Sequence, residues 1–294
     1  MLLIYNPKSG VQKFANQLFM VVDKFTSAGF LVTTYPTQAS GDVSKIIAEY
    51  GNKYEYLVCS GGDGTIGEAV DTLLSLETRP VFGLIPSGTV NDFATSLNIP
   101  KDIPAAADII INETPKALDI GRFEGKHFSY VAALGAFTDV SYSTPQNSKN
   151  MLGKLAYFLE GIKRLGSIES IRCEFVLDDE VIKGDFILGI IGNAYTIAGY
   201  KLPDELRVQM DDGLLEVILV KSPNTLKDRQ DIISSLLTQD IKTDLLITRK
   251  SKEIVFSSTT PAAWTLDGDF GGQYASARIK NLHRAIEIIM PAKT

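Results

Sequence analysis

The sequence predicts an α/β chain in two parts: a doubly wound parallel sheet over residues 1–117, then an antiparallel β-sandwich over residues 118–294. Two observations carry this. Up to about Ala117, short apolar runs alternate with helix-period segments, the rhythm of repeated strand, helix, strand units. Beyond it, runs with a period of two take over, as in Ile171, Cys173, Phe175 and Leu177 set between Arg172, Glu174 and Val176.

Taken in order, residues 2–5, 30–35, 56–60 and 81–85 are the strands of the first part. Phe14, Leu18, Val21, Val22 and Phe25 form the i, i+4, i+7, i+8, i+11 stripe of an amphipathic helix, which Gly29 can end in the left-handed conformation. Residues 44–50 behave likewise and end at Gly51. In such a parallel sheet ligands bind at the carboxyl ends of the strands, so the loops there deserve inspection. Further strands are expected at 128–134, 171–177, 186–191, 214–220, 253–257, 275–280 and 285–290, parted by Asp, Gly, Asn and Pro turns. One amphipathic helix at 151–165, with Leu152, Leu155, Leu159 and Ile162 on one face, interrupts them.

Composition narrows the function. The length of 294 residues allows about two domains with a core in each. Apolar residues at 45 % and charged residues at 22 % are ordinary for a folded protein. Thirty-five acids against 29 bases give a net charge of −6, which offers no electrostatic drive toward a nucleic acid. Apolar runs fall far short of the roughly 18 residues of a bilayer span, and MLLIYNPKSG lacks the features of a secretory signal. A cytoplasmic chain is expected. Cys59 and Cys173 sit where strands would bury them as thiols, and His127 and His283 fall in no zinc-like pattern.

Three strand ends run into loops of small and polar residues: NPKSG (6–10), SGGDGT (60–65) and PSGTVND (86–92). Glycines let the main chain approach an anion closely, and successive N–H groups with helix N-termini supply positive potential for phosphate. Tight strand-to-helix turns would explain NPKSG or PSGT alone. In GGDGT, however, Asp63 facing a phosphate would repel it unless a divalent ion or a transferred proton takes part. Gly62, Gly64 and Gly67 also match G-x-G-x-x-G, but Ile85, Pro86 and Ser87 stand where a ribose-binding acid would be expected. Neither a Walker A sequence nor G-x-S-x-G is present.

NPKSG, GGDGT with Ile66 and Gly67, GTVNDFA (88–94), DDGLLEV (211–217) and LDGD (266–269) together resemble the bacterial diacylglycerol kinases and related lipid kinases. The resemblance runs through nearly the whole chain in order. GGDGT alone is shared with NAD kinases and phosphofructokinase-like enzymes. The resemblance implies an ATP-binding domain over 1–117 and a lipid-substrate domain over 118–294, whose last strand has the option of returning to the first. It implies that Asn6, Pro7, Lys8, Ser9, Gly10, Thr37, Gly61, Gly62, Gly64, Thr65, Ile66, Gly67 and Thr89 line the ATP site. A turn-stabilising role for Thr37 and a helix-capping role for Asn91 are the alternatives read from the residues themselves.

Phosphoryl transfer needs charge neutralised on the phosphates and a base for the attacking hydroxyl. By resemblance the base is Asp269, where the family usually has Glu, and Asp63 organises Mg²⁺ beside the γ-phosphate. A hairpin turn is the plain alternative for Asp267, Gly268 and Asp269. A structural Mg²⁺ is implied at Gln209, Asp212 and the Leu214 carbonyl, with an Asp-Gly hairpin as its alternative. Lys154, Lys163 and Arg164 are read as a basic face for transient docking of the lipid substrate's membrane, the inner face, against an ordinary solvated helix face. The expected activity is phosphorylation of diacylglycerol or a related lipid alcohol to phosphatidic acid or its equivalent. An NAD kinase and a non-catalytic nucleotide-binding regulator are the other readings, a dehydrogenase comes last, and a homodimer is left open through sheet edges.

Overall fold

The computed structural model describes residues 1–9, 14–135, 169–197, 200–202, 206–238 and 243–292. The chain forms two compact units, one of Met1–Leu118 with Arg284–Thr294 and one of Asp119–His283.

In the first unit β1 (Leu2–Tyr5), β2 (Thr33–Pro36), β3 (Tyr56–Gly61) and β4 (Val81–Pro86) are parallel in the order β4, β3, β1, β2. Such a sheet is covered on both faces, which explains why LLIY and YLVCSG are almost continuously buried rather than alternating. The covering helices are α1 (Leu18–Ser27), α2 (Asp42–Tyr50), α3 (Asp63–Ser75), α4 (Asp92–Ser96) and α5 (Ile103–Asn112). In α3, Ile66, Ala69, Val70 and Leu73 recur at i, i+3, i+4, i+7 and are buried.

The end of α1 is a Schellman closure. The Phe30 N–H donates to Phe25 O and the Gly29 N–H to Thr26 O, both at 3.0 Å, with Gly29 at φ +91° and the Phe25 and Phe30 rings in edge contact. This is why β2 starts at Thr33 and not at the expected Phe30. The stripe expected from Phe14 also starts later as α-helix, because residues 15–17 form a 3₁₀ turn. Gly51 ends α2 differently from Gly29: its φ is −54°, and a side chain there would stand 2.9 Å from Leu76 Cδ1.

The second unit is antiparallel and strand-rich, as expected. It contains β6 (Lys126–Phe128), β7 (Val131–Gly135), β8 (Ile171–Leu177), β9 (Glu180–Gly192), β10 (Thr196–Ile197), β11 (Tyr200–Lys201), β12 (Leu215–Lys221), α6 (Leu226–Thr238), β13 (Leu246–Ser251) and β14 (Glu253–Leu266). Two further strands, β5 (Pro115–Phe123) and β15 (Asp269–Ile289), each belong in part to it. The long strands act as corners. β9 pairs with β8 along its first half and with β7 along its second, while β14 pairs with β8 and then, past a register shift between Ser257 and Ala262, with β7. Phe123, Phe175, Phe186, Phe256 and Trp264 fill the core so enclosed.

Several expectations are corrected here. The run 128–134 splits into β6 and β7, and 275–280 with 285–290 is one strand, β15. Its last part lies in the first unit, where Ile288 pairs in parallel with Phe82 of β4. The sequence reading missed α5, α6, β5, β10, β11 and β13. The helix expected at 151–165 lies outside the described residues.

Candidate active site

Hydrogen bonds tie the loops at the carboxyl ends of the first unit's strands to one another. The Asn6 N–H donates to Ser60 O at 3.0 Å, and the Thr37 N–H donates to Tyr5 O at 2.9 Å. The N–H groups of Ser87 and Gly88 both donate to Gly61 O, at 2.9 and 3.2 Å. Within the first loop, Asn6 Oδ1 accepts the Lys8 N–H at 2.9 Å and the Ser9 N–H closes the turn on Asn6 O at 3.1 Å. Thus Asn6, Lys8, Ser9, Thr37, Gly61 and the 86–91 segment, called separately from sequence, belong to one edge of the sheet.

Glycine is required where these loops cross. A Cβ on Gly88 would stand 2.4 Å from Gly62 Cα, and one on Gly61 would stand 2.4 Å from Thr65 Cβ. A Cβ on Gly64 or Gly67 would meet nothing within 4 Å. Gly64 and Thr89 are exposed, whereas the Ile66 side chain is 3 % exposed and belongs to the core, leaving only its main chain for the role expected of it. Its N–H already donates to Gly62 O. Gly10 lies outside the described residues.

Asp63 opens α3. Its Oδ2 accepts the Asn91 N–H at 2.9 Å and its Oδ1 the Phe93 N–H at 3.2 Å, so this carboxylate caps the short helix α4. The capping role considered for Asn91 is therefore corrected. Asn91 takes the left-handed conformation, φ 59°, and its amide turns back on Gly88, accepting the N–H at 2.9 Å and donating to the carbonyl at 2.8 Å.

In the second unit Leu266 pairs with Asp269 across a two-residue turn whose members, Asp267 and Gly268, have φ of +51° and +88°. Positive φ at both positions is the requirement of a type I′ hairpin, which Asp-Gly meets at least cost. The carboxylate of Asp267 accepts the N–H groups of Ser129, Tyr130 and Val131 at 2.6, 3.0 and 3.0 Å. Those three bonds split β6 from β7 and pin the turn, and they leave Asp269 exposed at the head of β15. Sequence reasoning missed Asp267 as anything but a turn residue.

It also missed a buried polar knot. Asp119, fully buried, accepts the Gly213 N–H at 2.7 Å and the Asn281 amide at 3.1 Å, and its Oδ1 lies 3.1 Å from His283 Nδ1. Asn193 Nδ2 donates to Asp119 O at 2.8 Å. The signal available was an acid inside an apolar strand, Leu118-Asp119-Ile120. Cys59 and Cys173 are buried, and burial pushes both thiols up to about 12.

The three ligands expected for a structural ion do not form one. Gln209 is exposed, Asp212 Oδ1 accepts the Leu214 N–H at 3.0 Å, and the Leu214 carbonyl accepts the Asn281 amide at 2.9 Å. Asp212 Oδ2 lies 2.8 Å from Lys250 Nζ. Among the described residues no cluster of three His, Cys, Asp or Glu has the arrangement of a metal site. The residues present therefore do not fit an ion at this turn.

Glycine-forced loops around the carboxylate of Asp63 at the ends of a parallel sheet, in a chain with an antiparallel second unit, define the class: an α/β protein with a candidate anion site at its strand ends. Comparison with known proteins narrows the class. A family profile described as "Diacylglycerol kinase catalytic domain" matches residues 1–123. A protein of Bacillus subtilis named diacylglycerol kinase is 33 % identical, with 98 % of this chain and 95 % of the relative covered. One of Staphylococcus haemolyticus with the same name is 34 % identical over 98 % of this chain and 87 % of its own. Two solved structures assigned as diacylglycerol kinases of Bacillus anthracis superpose with TM-scores of 0.86 and 0.78 at 28 % and 25 % identity, over 99 % of this chain and 94 % and 96 % of theirs. The chain belongs to the diacylglycerol kinase family, and it is a lipid kinase. Membership of a kinase family implies use of ATP.

Proposed function

We propose that this lipid kinase transfers the γ-phosphoryl group of ATP to the free hydroxyl of diacylglycerol, giving phosphatidic acid and ADP. The observation that carries the nucleotide half of this reading is the tied loop edge of the first unit. There Asn6, Pro7, Lys8, Ser9, Thr37, Gly61, Gly62, Gly64, Thr65, Gly67 and Thr89 supply main chain and small side chains beside a helix N-terminus. The open space at Gly64 and the close crossing of Gly62 and Gly88 support main-chain contact with phosphate.

Asp63 fits Mg²⁺ as a hard oxygen donor, held in place by the main-chain N–H groups of Asn91 and Phe93. Mg²⁺ bound with ATP would neutralise charge on the β- and γ-phosphates. The chain's own residues do the rest in this proposal. The loops orient the triphosphate in line with the acceptor oxygen, and the exposed carboxylate of Asp269 takes the hydroxyl proton as the new P–O bond forms and the bond to ADP breaks. With a lipid acceptor, the reaction belongs to a cytoplasmic enzyme in transient contact with the inner membrane face. No helix among the described residues is long and apolar enough to cross a membrane. Lys154, Lys163 and Arg164, read as the docking face, lie outside the described residues.

One assay tests the proposal: radiolabelled ATP offered in parallel to diacylglycerol micelles, other lipid alcohols and NAD. Label in the organic phase with diacylglycerol is expected. Label in NAD, or bound ATP without labelled product, overturns the reading. Asp269→Asn is expected to keep fold and ATP binding while turnover drops roughly 10²- to 10⁴-fold, the scale of a lost acid–base group. Near-normal turnover would remove Asp269 from the reaction.

A further inference from the structure

The turn at residues 207–216 holds a cation of its own. Lys250 of β13 stands directly across from Glu216 of β12 in the antiparallel register. Its ammonium donates to Asp212 Oδ2 at 2.8 Å and to the Arg207 carbonyl at 3.1 Å, and lies 3.2 Å from Glu216 Oε1. Two of its three N–H donors are used in hydrogen bonds, and Glu216 faces it as an ion pair only, both of its buried carboxylate oxygens being without a hydrogen bond. The side chains of Asp212 and Glu216 are 17 % and 1 % exposed, so two acids brought this close without a positive partner would be costly. Two further oxygens of the turn are engaged within the chain: Asp212 Oδ1 accepts the Leu214 N–H and the Leu214 carbonyl accepts the Asn281 amide.

We infer that Lys250 takes the place of a divalent cation at this turn. Its ammonium neutralises Asp212 and Glu216 and fastens the 207–216 segment to β13. A divalent ion at Asp212 would have to displace the ammonium from the same carboxylate. The second unit is thus stable without a bound metal at this position. The inference concerns the stability of that unit and stands independently of which lipid or nucleotide the enzyme uses.

Thermal unfolding of the full-length chain without nucleotide, in EDTA and then in MgCl₂ or CaCl₂ at matched ionic strength, tests it. The wild-type melting temperature is expected to stay within about 1 °C across the series, since an ion that binds the folded state tightly would raise it by several degrees. Lys250→Met, which keeps much of the stem and removes the charge, is expected to melt several degrees lower in EDTA and to recover in Mg²⁺ or Ca²⁺. Adding Asp212→Asn to Lys250→Met is expected to abolish that recovery. A wild-type melting temperature that rises by several degrees with Mg²⁺, and no longer does so in Asp212→Asn, would overturn the inference. So would a Lys250→Met chain as stable as wild type in EDTA. The wild-type and Asp212→Asn titrations decide the point even if Lys250→Met does not fold.

Discussion

Gly88 lies in the loop after β4 and Gly64 in the first turn of α3, and they hold glycine for opposite reasons. The first has no room for a Cβ, since Gly62 Cα would be 2.4 Å away, and the second has nothing within 4 Å. Gly88→Ala is therefore expected to cost about 1–3 kcal/mol through a main-chain clash, read as a lower urea midpoint. Gly64→Ala, in the first turn of α3, is expected to stabilise the protein by up to about 1 kcal/mol, read as a higher midpoint, because alanine loses less main-chain freedom in a helix. If the loop cradles phosphate, the same substitution weakens binding of a non-hydrolysable ATP analogue. Equal midpoints for the two variants would defeat the distinction. The glycines were legible in the sequence because their spacing follows a strand and precedes a helix. The grip of Asp63 on Asn91 and Phe93 was not, since its partners stand 28 and 30 residues further along the chain.

Elements were legible where their signal is local. The stripe from Phe14 to Phe25 and the left-handed Gly29 specify α1 and its end, and Asp-Gly specifies the hairpin before β15. The split between β6 and β7 was illegible for the opposite reason: the run 128–134 reads as one strand until the carboxylate of Asp267, more than 130 residues away, takes three of its N–H groups. Asp267→Ala leaves those donors without their acceptor and is expected to destabilise the protein by about 2–3 kcal/mol, measured by urea unfolding. Asp269→Asn, two residues on and exposed, is expected to leave the midpoint unchanged. A reversed order of these two effects would mean that Asp269, not Asp267, holds the turn.

For the molecule as a whole, the chain's return to its first unit is the decisive event. Ile286, Ile288 and Ile289 are 3, 0 and 1 % exposed, and Ile288 pairs with Phe82 of β4. Burial of three such side chains contributes roughly 5–9 kcal/mol, comparable with the net stability of about 5–15 kcal/mol of an ordinary domain. A chain ending at His283 is thus expected to lose amide hydrogen-exchange protection in β1, β3 and β4 while β8 and β9 keep theirs. Retained protection in β4 would show that the last strand is dispensable. By itself the sequence determined two classes of sheet and the glycine loops of a lipid kinase, because strand period, helix period and turn chemistry act over a few residues. Tertiary structure alone decided which acid caps α4, which pins the hairpin, and that a lysine faces Asp212 and Glu216, because each pairing joins residues far apart in the chain through burial and register.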